Sequence, residues 1–270
     1  MIDKIVHIEL RRKYNPDGSE LRRAQMRMLE MLKYIDALCV KNGIKFWLSS
    51  GTCLGAVRHG GFIPWDDDTD IEMLEDDYKK LVKVMENTPN APYVLQTYKN
   101  DQSFFPRFGK LRDRKSHIKE CGIDKYYKFD GIFIDIFPLK PSSSRVIHKL
   151  GYKPLRFLVH RAPLLYKNKQ LVKMVQLICQ ITVSLLSVGL SLMQRVGKKK
   201  YLRHISPAYF SFPRCSTEIF PLVRMNFEGI SLPVPRDCNG YLKRIYGENY
   251  MNLPPLDNIS CHTTKIEFED

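Results

Sequence analysis

Hydrophobic positions along the first half of the chain predict helices that alternate with strands. Apolar residues recur at helical spacing over residues 19–41, where Ser19 is suited to cap the helix and Gly43 to end it. Further along, the pattern predicts strands at 46–49, 68–73, 93–98, 108–112 and 132–137, and a charged helix at 76–85. This order favours an α/β (α+β) fold in which a mixed sheet is flanked by helices.

The second half divides into a basic helical stretch and a return of strands. Residues 142 to about 204 have a helical pattern, and strands return after Pro207. A hairpin is predicted at 227–235, followed by a helix at 238–246 that Asp237 caps and Gly247 ends. We therefore expect a core built from residues 1–141 and completed by 207–270, with 142–206 as a basic helical insertion.

Four aspartates lie close together at the second predicted strand. Asp66, Asp67 and Asp68 are consecutive and Asp70 follows, and carboxylates this crowded repel one another unless a cation lies between them. Because strand side chains two apart share a face, we expect Asp68 and Asp70 to project together and Asp67 to point away. A solvated loop or a helix N-terminal cluster is the alternative explanation of this run.

Asp135 is the best candidate for a third carboxylate at the same place. It lies in an apolar, β-branched run that predicts a central strand ended by Pro138, and a lone carboxylate in such a strand needs a partner. Mg²⁺ commonly takes one or two protein carboxylates together with phosphate oxygens and water. We therefore predict that Asp68, Asp70 and Asp135 bind Mg²⁺ or Mn²⁺.

The segment 47–59 predicts a strand that runs into a small-residue turn and then a short helix. Backbone N–H groups at such a turn can face an anion, so Gly51 and Thr52 are candidates for phosphate binding. An ordinary tight turn is the alternative. A phosphate-binding turn followed by Asp-x-Asp suggests metal-assisted phosphoryl chemistry.

Four blocks, in the same order, resemble the LicD family of phosphotransferases. That family includes bacterial choline-phosphate transferases and, more distantly, fukutin and fukutin-related protein. The blocks are Gly51-Thr-Cys-Leu-Gly-Ala-Val-Arg-His59, Gly61-Phe-Ile-Pro-Trp-Asp-Asp-Asp-Thr-Asp-Ile71, Gly131-Ile-Phe-Ile-Asp-Ile-Phe-Pro138, and a C-terminal block with Tyr241-Leu, Tyr246-Gly, Tyr250-Met, Leu253-Pro-Pro255 and Cys261-His262.

The resemblance implies a nucleotidyltransferase-like fold and a divalent metal. It also implies transfer of a phosphoryl-alcohol group, such as phosphocholine, from a CDP-alcohol donor such as CDP-choline to a hydroxyl of a cell-surface glycan such as lipopolysaccharide or teichoic acid, with release of CMP. Carried over by position, the metal acids are again Asp68, Asp70 and Asp135. Asp135 or Asp66 would accept the proton of the attacking hydroxyl, and Asp135 is preferred.

Other residues near these motifs are candidates for contact with the donor. Arg58 and His59 are suited either to hold phosphate or to cap the short helix, and Lys110 either to bind a diphosphate or to remain solvated. Trp65 is suited to stacking on cytosine or shielding a cationic alcohol, or else to a place in the core. His262 is assigned a structural hydrogen bond.

The chain is strongly basic. Its 270 residues carry a formal net charge of +14, and Lys and Arg are dense between residues 145 and 203. Within that segment, residues 171–193 are largely apolar and approach the length of a membrane span, although Gln176 and Gln180 interrupt them. Three roles are possible for residues 171–193. They pack within the protein, they attach it peripherally to an anionic bilayer beside a lipid-linked acceptor, or they span the membrane.

The chain has seven cysteines without paired spacing, and its N-terminus has no secretory signal. Both features favour a cytoplasmic enzyme. If the basic segment binds lipid, we expect the enzyme to be peripheral on the cytoplasmic face of the membrane. One rival is a nucleotidyltransferase that acts on nucleic acid or a small molecule, and another is a membrane-associated non-catalytic module. The C-terminal block disfavours nucleic acid as a partner. Release of CMP rather than pyrophosphate would separate transfer of a phosphoryl-alcohol group from nucleotidyl transfer.

Overall fold

A computed structural model describes residues 2–104, 106–118, 127–142, 200–205, 213–255 and 266–268, together with seven helical residues between 174 and 188. The helices are α1 (Lys4–Tyr14), α2 (Glu20–Lys41), α3 (Ser50–His59), α4 (Glu75–Glu86), α5 (Ser216–Ile219) and α6 (Cys238–Tyr246). The strands are β1 (Phe46–Leu48), β2 (Asp70–Leu74), β3 (Tyr93–Gln96), β4 (Gly109–Asp113), β5 (Ser116–Ile118), β6 (Phe133–Ser142), β7 (Tyr201–His204), β8 (Arg214–Cys215), β9 (Val223–Phe227), β10 (Ile230–Val234) and β11 (Ile266–Phe268). The predicted α/β class is confirmed.

A seven-stranded mixed sheet forms the centre of the fold. Its strands lie in the order β1-β2-β6-β4-β3, and β7 and β8 continue from β6. β2 and β6 run parallel with Asp70 opposite Asp135, whereas the other neighbours in this sheet are antiparallel. β6 is therefore the central strand, and the start of β2 lies beside it.

The helix predicted over residues 19–41 is confirmed as α2. The Ser19 side chain accepts a hydrogen bond from the N–H of Arg22, and Gly43 follows the helix with a left-handed φ of 62°. The apolar stripe of α2, including Met31 and Leu32, is fully buried in the main hydrophobic core. α2 therefore covers one face of the sheet, as its amphipathic pattern indicates.

The C-terminal elements also follow their local signals. β9 and β10 form the predicted hairpin, and Glu228 and Gly229 at its turn both have positive φ, 50° and 83°. The Asp237 side chain accepts a hydrogen bond from the N–H of Gly240 at the start of α6, and Gly247 ends this helix with a φ of 89°. The predicted boundaries of this helix are confirmed.

Pro138 does not end the central strand, contrary to the prediction, because β6 continues to Ser142. On one side, Pro138 lies opposite Met73 of β2. On the other side, the pairs with β4 end at Ile136 and the pairs with β7 begin at Leu139. Proline therefore falls where β6 changes neighbours, a position at which its missing N–H is tolerated.

Tyr201–His204 is a strand, although the pattern of residues 142 to about 204 predicts helix. Leu202 is buried, and the strand pairs with the last residues of β6, so the available sheet edge overrides the local pattern. Most of the predicted insertion at 142–206, and the Cys261-His262 pair, lie outside the described residues, so the domain boundaries stay a prediction. Among the residues that the structure describes, no helix has the length and apolar character needed to span a bilayer.

Candidate active site

The residues of the acidic run alternate between two sides of the chain. Asp66, Asp68 and Asp70 are partly exposed, while Asp67 and Thr69 are buried. β2 begins only at Asp70, so the strand starts two residues later than predicted. Asp68 and Asp70 are nevertheless both partly exposed and Asp67 is buried, in keeping with the predicted alternation. Asp66 is also partly exposed and joins that pair.

Asp135 enters the same region from the neighbouring parallel strand. It is paired directly with Asp70, and its N–H donates a hydrogen bond to the carbonyl of Thr69 at 2.8 Å. One carboxylate oxygen of Asp135 lies 3.0 Å from Nζ of Lys110, which occupies the facing position on β4. That Nζ also lies 3.2 Å from the centre of the Phe133 ring. Lys110 is therefore a buried partner of Asp135, which rules out the solvated alternative.

The acids interact electrostatically. Burial raises the pKa of the Asp66 and Asp70 carboxyls well above their usual range, and the charge of Asp68 raises both further. Asp66 also shares a side-chain hydrogen bond with Asp68. Burial raises the pKa of Asp135 as well, and Lys110 opposes this shift without cancelling it. Asp68 and Asp70 therefore lie within the electrostatic range of both Asp66 and Asp135.

This set of oxygen donors fits a hard divalent cation such as Mg²⁺ or Mn²⁺. A cation among the carboxylates would remove the repulsion that raises their pKa values. Within the described part of the chain, however, no three Asp, Glu, His or Cys side chains already stand in an arrangement that could hold a metal ion. The chemistry of the set fits the cation, whereas a three-ligand site is not preformed.

Gly51 and Thr52 lie in the first turn of α3. A Cβ at Gly51 would be 3.0 Å from Oδ2 of Asp66, so this turn borders the acid directly. Oγ1 of Thr52 accepts a hydrogen bond from the N–H of Asp70 at 2.8 Å, which ties α3 to the start of β2. The positive end of the α3 dipole is therefore next to the acids, a position where a phosphate is stabilised.

A family model described as "LicD/FKTN/FKRP, nucleotidyltransferase domain" matches residues 43–170, a range that contains α3, β2, β6 and all the acids described above. This chain carries a LicD-family domain. The resemblance of the sequence blocks to that family is thereby confirmed.

Individual relatives agree with the LicD assignment. The chain is 28% identical over 255 residues to "Lipopolysaccharide cholinephosphotransferase LicD" of Haemophilus influenzae, and the match covers 90% of this chain and 95% of that protein. Shorter matches are 40% identical over 48 residues to "Ribitol 5-phosphate transferase FKRP" of Homo sapiens and 54% identical over 37 residues to "Ribitol-5-phosphate transferase FKTN" of Mus musculus. These cover 18% and 14% of this chain but only 10% and 8% of those proteins. The chain is an enzyme of the LicD phosphotransferase type.

Replacing Gly51 with Ala in the LicD domain is expected to lower kcat/KM about tenfold without a loss of stability. The new methyl group would lie 3.0 Å from Oδ2 of Asp66 and displace that carboxylate. Alanine is otherwise favoured over glycine inside a helix by about 1 kcal/mol. Steady-state kinetics and thermal unfolding of one preparation check both expectations. An unchanged kcat/KM would show that the position of Asp66 does not matter for transfer.

Arg58 and His59 lie at the far end of α3, and both are buried. Nη1 of Arg58 donates hydrogen bonds to the carbonyls of Tyr250 and Asn252 at 3.3 and 3.0 Å, and its Nε lies 3.0 Å from Nε2 of His59. The charge of Asp66 also acts on Arg58, against the effect of burial, which lowers the pKa of the guanidinium. These contacts favour a structural role that ties the LicD domain to the C-terminal segment, and phosphate binding by either residue stays a prediction.

Trp65 packs at the edge of the core. Its ring lies edge-on to the rings of Tyr14 and His59, with centroid distances of 5.4 and 6.1 Å. It also packs against the main hydrophobic core. These contacts favour the core alternative over stacking on cytosine.

Gln25 supports the acidic run, a role not predicted from the sequence. This fully buried side chain of α2 donates hydrogen bonds from Nε2 to the carbonyls of Ile63 and Asp66, at 3.3 and 2.9 Å. The helical spacing could have shown that this side chain is buried, because Gln25 lies four residues after Leu21 and three before Met28 on the apolar stripe. A polar residue in such a stripe needs a buried partner.

Tyr246 is a further neighbour of the acids in the LicD domain. Burial raises the pKa of its phenol, and the charges of Asp70, Asp66 and Asp68 raise it further. The residue as a whole is 46% exposed at the end of α6, so it is the phenol end that is buried beside the acids. Tyr246 therefore adds a hydroxyl group near the acids, contributed by the last sequence block.

Proposed function

We propose that this protein transfers the phosphoryl-alcohol group of a CDP-alcohol, such as CDP-choline, to a hydroxyl of a cell-surface glycan. The glycan oxygen forms a bond to the phosphorus that carries the alcohol, the bond from that phosphorus to the bridging oxygen breaks, and CMP leaves. The bacterial relative is named a lipopolysaccharide cholinephosphotransferase, and two eukaryotic relatives are named ribitol-phosphate transferases. All three names describe transfer of an alcohol phosphate.

The observation that carries this proposal is that Asp66 and Asp70 border the first turn of α3, with Asp135 directly opposite Asp70. Transfer from a diphosphate requires groups that compensate its negative charge and hold it in line with the attacking oxygen. The first turn of α3 supplies backbone N–H groups and the positive end of a helix dipole. Lys110 adds a cation 3.0 Å from Asp135.

Asp68, Asp70 and Asp135 are the proposed ligands of Mg²⁺ or Mn²⁺. When bound, the cation would compensate the diphosphate charge and make the phosphorus easier to attack. Lys110 fixes the carboxylate of Asp135, and the N–H of Asp70 is held by Thr52. These contacts position two of the proposed ligands on neighbouring strands.

Asp66 is better placed than Asp135 to accept the proton of the attacking hydroxyl. One oxygen of Asp135 is already paired with Lys110. Oδ2 of Asp66 borders Gly51 in the first turn of α3, where the diphosphate is expected to lie. We therefore assign proton acceptance to Asp66 and metal binding to Asp135.

A panel of donors tests the function. The purified protein is incubated with Mg²⁺ and CDP-choline, CDP-ethanolamine, CDP-ribitol or CDP-glycerol, with and without lipopolysaccharide or teichoic acid, and CMP is measured by chromatography. We expect CMP from one donor, at a rate that depends on the acceptor, and an added alcohol phosphate on the glycan by mass spectrometry. Release of pyrophosphate from CTP, or no CMP from any donor with folded protein, would contradict the proposal.

We also place this activity in the cytoplasm. The described cysteines Cys39, Cys53, Cys215 and Cys238 are buried free thiols. Sγ of Cys53 donates a hydrogen bond to Sγ of Cys238 at 4.0 Å, so the two residues are paired as thiols, the form expected in a reducing compartment. Fractionation of cells that produce the protein tests this location.

A further inference from the structure

Three of the clustered acids lie on a connecting segment between α3 and β2. We call this segment, residues 60–69, the acidic loop. It forms neither helix nor strand, yet Gly61, Phe62 and Ile63 at its start are buried. Buried backbone groups outside regular structure need hydrogen-bond partners from other parts of the fold. The contacts that supply these partners therefore help to set where Asp66 lies relative to the first turn of α3.

Glu228 reaches the acidic loop from the turn of the C-terminal hairpin. Its Oε1 accepts a hydrogen bond from the N–H of Phe62 at 3.2 Å, and its own N–H donates to the carbonyl of Gly60 at 2.9 Å. A Cβ at Gly61 would collide with the same carboxylate, since it would lie 2.7 Å from Cδ of Glu228. Glycine at position 61 therefore allows the Glu228 side chain to lie against the loop backbone.

Arg22 of α2 holds the Glu228 carboxylate in this position. Its Nη1 and Nη2 lie 3.2 and 2.8 Å from Oε1 and Oε2 of Glu228, and the two side chains are only 12% and 18% exposed. A two-point contact of this kind fixes the orientation of a carboxylate. One turn further along α2, Gln25 binds the carbonyl of Asp66. α2 therefore supports the acidic loop at two places, through Glu228 and through Gln25.

The backbone of Glu228 has a conformation that glutamate rarely adopts. Its φ of 50° is in the left-handed region, where the Cβ of most residues is crowded. Two-residue hairpin turns of this kind prefer asparagine, aspartate or glycine. Formation of the turn therefore does not explain a glutamate at position 228. The contacts of its carboxylate with Arg22 and Phe62 do.

We propose that Glu228 is a positioning residue for the transfer reaction. Through the N–H of Phe62 it fixes the acidic loop, and with it the carboxylate of Asp66, against the first turn of α3. The inference rests on the proposed function, in which Asp66 accepts the proton of the attacking hydroxyl. Displacing that acceptor lowers kcat more than it raises KM, because donor binding does not depend on the proton transfer.

Glu228→Asn and Glu228→Gln separate the loop contact from the turn. Asparagine suits the left-handed conformation but is one methylene too short to reach the N–H of Phe62. Glutamine keeps the length and an oxygen that can accept this hydrogen bond. We expect kcat to fall about tenfold in Glu228→Asn, with KM for the donor within about twofold, and to stay within about threefold in Glu228→Gln. A kcat that Glu228→Asn leaves unchanged, or that both variants lower equally, would overturn the proposal.

Hydrogen exchange followed by mass spectrometry gives a readout that needs no activity. Peptides from the acidic loop should exchange faster in Glu228→Asn than in the unchanged protein or in Glu228→Gln, while peptides from β3 and β4 should exchange alike in all three. Unchanged exchange of the loop in Glu228→Asn would overturn this inference alone. Failure of the unchanged, folded protein to transfer from any donor would instead contradict the proposed function.

Asp36→Asn is the matched control. Asp36 also ties α2 to the C-terminal hairpin, because its Oδ2 lies 2.7 Å from Nη2 of Arg224 on β9. This ion pair joins the same two elements as Arg22 and Glu228 but does not include the acidic loop. Asp36→Asn should leave both kcat and the exchange of the loop unchanged. Equal losses in Asp36→Asn and Glu228→Asn would overturn the proposal, because docking of the hairpin would then be sufficient to explain them.

Gly61→Ala tests the same contact from the side of the loop. Its methyl group would displace the Glu228 carboxylate, so kcat should fall about as far as in Glu228→Asn. Combining the two substitutions should cause little further loss, because both remove one contact. Losses that multiply in the double variant would show that the two residues act independently and would overturn the proposal. Thermal unfolding of each variant establishes that kcat is measured on folded protein.

Discussion

Replacing Asp70 with Asn is expected to lower kcat/KM for transfer at least about 10³-fold, which corresponds to about 4 kcal/mol of transition-state stabilisation. Asp70 begins β2 directly opposite Asp135, and its N–H is held by Thr52 of α3. It therefore stands where the acidic run, the central strand and the candidate phosphate-binding turn meet. Asparagine keeps the size of the side chain and removes the charge that a cation needs.

The same substitution should leave the metal-free protein equally stable or raise its free energy of unfolding by about 1 kcal/mol. Burial and the charges of Asp68 and Asp135 raise the pKa of Asp70. A carboxyl whose pKa is higher in the folded state than in the unfolded state opposes folding at neutral pH, where the unfolded state holds it ionised. A loss of activity together with unchanged or increased stability would identify a carboxylate kept for function.

A metal titration gives a second readout. Mg²⁺ or Mn²⁺ at about 100 times its Kd should stabilise the unchanged protein by about 2.7 kcal/mol, and should have little effect on Asp70→Asn. Thermal unfolding at increasing metal concentration measures both. An equal response of the two proteins would place the ion elsewhere, and a variant that loses both stability and activity would indicate that Asp70 is structural.

Asp101→Asn is the matched control. Asp101 is also a buried aspartate, but its carboxylate accepts hydrogen bonds from Nε2 of Gln96 and the N–H groups of Ser103 and Lys128, at 2.7, 2.9 and 2.7 Å. Its substitution should lower the free energy of unfolding by about 1–2 kcal/mol and leave kcat/KM of the folded protein unchanged. The two aspartates should therefore show opposite patterns.

The elements that could be predicted from the sequence are those with local signals. Ser19 and Gly43 bracket α2, Asp237 and Gly247 bracket α6, and Gly229 lies at the turn of the C-terminal hairpin. Each of these residues acts within a few positions of itself, through a cap or a left-handed backbone conformation. Such signals do not depend on the rest of the fold.

Elements that depend on distant contacts could not be predicted in this way. β7 is a strand because the end of β6 offers it an edge. α1 buries Leu10 alone among its residues, so its apolar pattern is weak. Pro138 is tolerated inside β6 because β4 and β7 share one side of that strand. Each outcome depends on a neighbour that the local sequence does not reveal.

The residues of the candidate site likewise include some that the local sequence predicts and others that depend on distant contacts. The spacing of Asp68 and Asp70 predicts their shared side, and the apolar run around Asp135 predicts its central strand, whereas the place of Asp66 beside them was not predicted. The partners of these acids lie far away in sequence, as the cross-strand position of Lys110 on β4 shows. Gln25 of α2 and Tyr246 of α6 likewise become visible as neighbours only in the folded chain.

Replacing Glu72 with Gln is expected to lower the free energy of unfolding by about 3–5 kcal/mol. Glu72 is fully buried two residues beyond Asp70, and its Oε1 lies 2.8 Å from Nη2 of Arg214 and 3.1 Å from Nε2 of His204. Burial would raise the pKa of this carboxyl, but Arg214 and His204 outweigh it and hold the pKa well below the usual range. The substitution leaves the Arg214 charge buried without its counter-charge.

The effect of Glu72→Gln should extend to the first turn of α3. Oε2 of Glu72 accepts a hydrogen bond from the hydroxyl of Tyr241 at 3.0 Å, and that hydroxyl also lies 3.3 Å from the backbone N of Ser50. Ser50 begins α3 with a left-handed φ of 46°, which is uncommon for a residue other than glycine. Weakening this support should lower kcat/KM in the fraction of the variant that remains folded.

Urea unfolding measures the loss of stability, and Glu30→Gln is the matched control. Glu30 pairs with Lys33 at 2.7 Å, but both side chains are about half exposed, so this substitution should change the free energy of unfolding by less than about 0.5 kcal/mol. Adding Arg214→Met to Glu72→Gln should restore part of the lost stability, because it removes the unpaired buried charge. Equal effects of Glu72→Gln and Glu30→Gln would show that the buried ion pair contributes no more to stability than a surface pair.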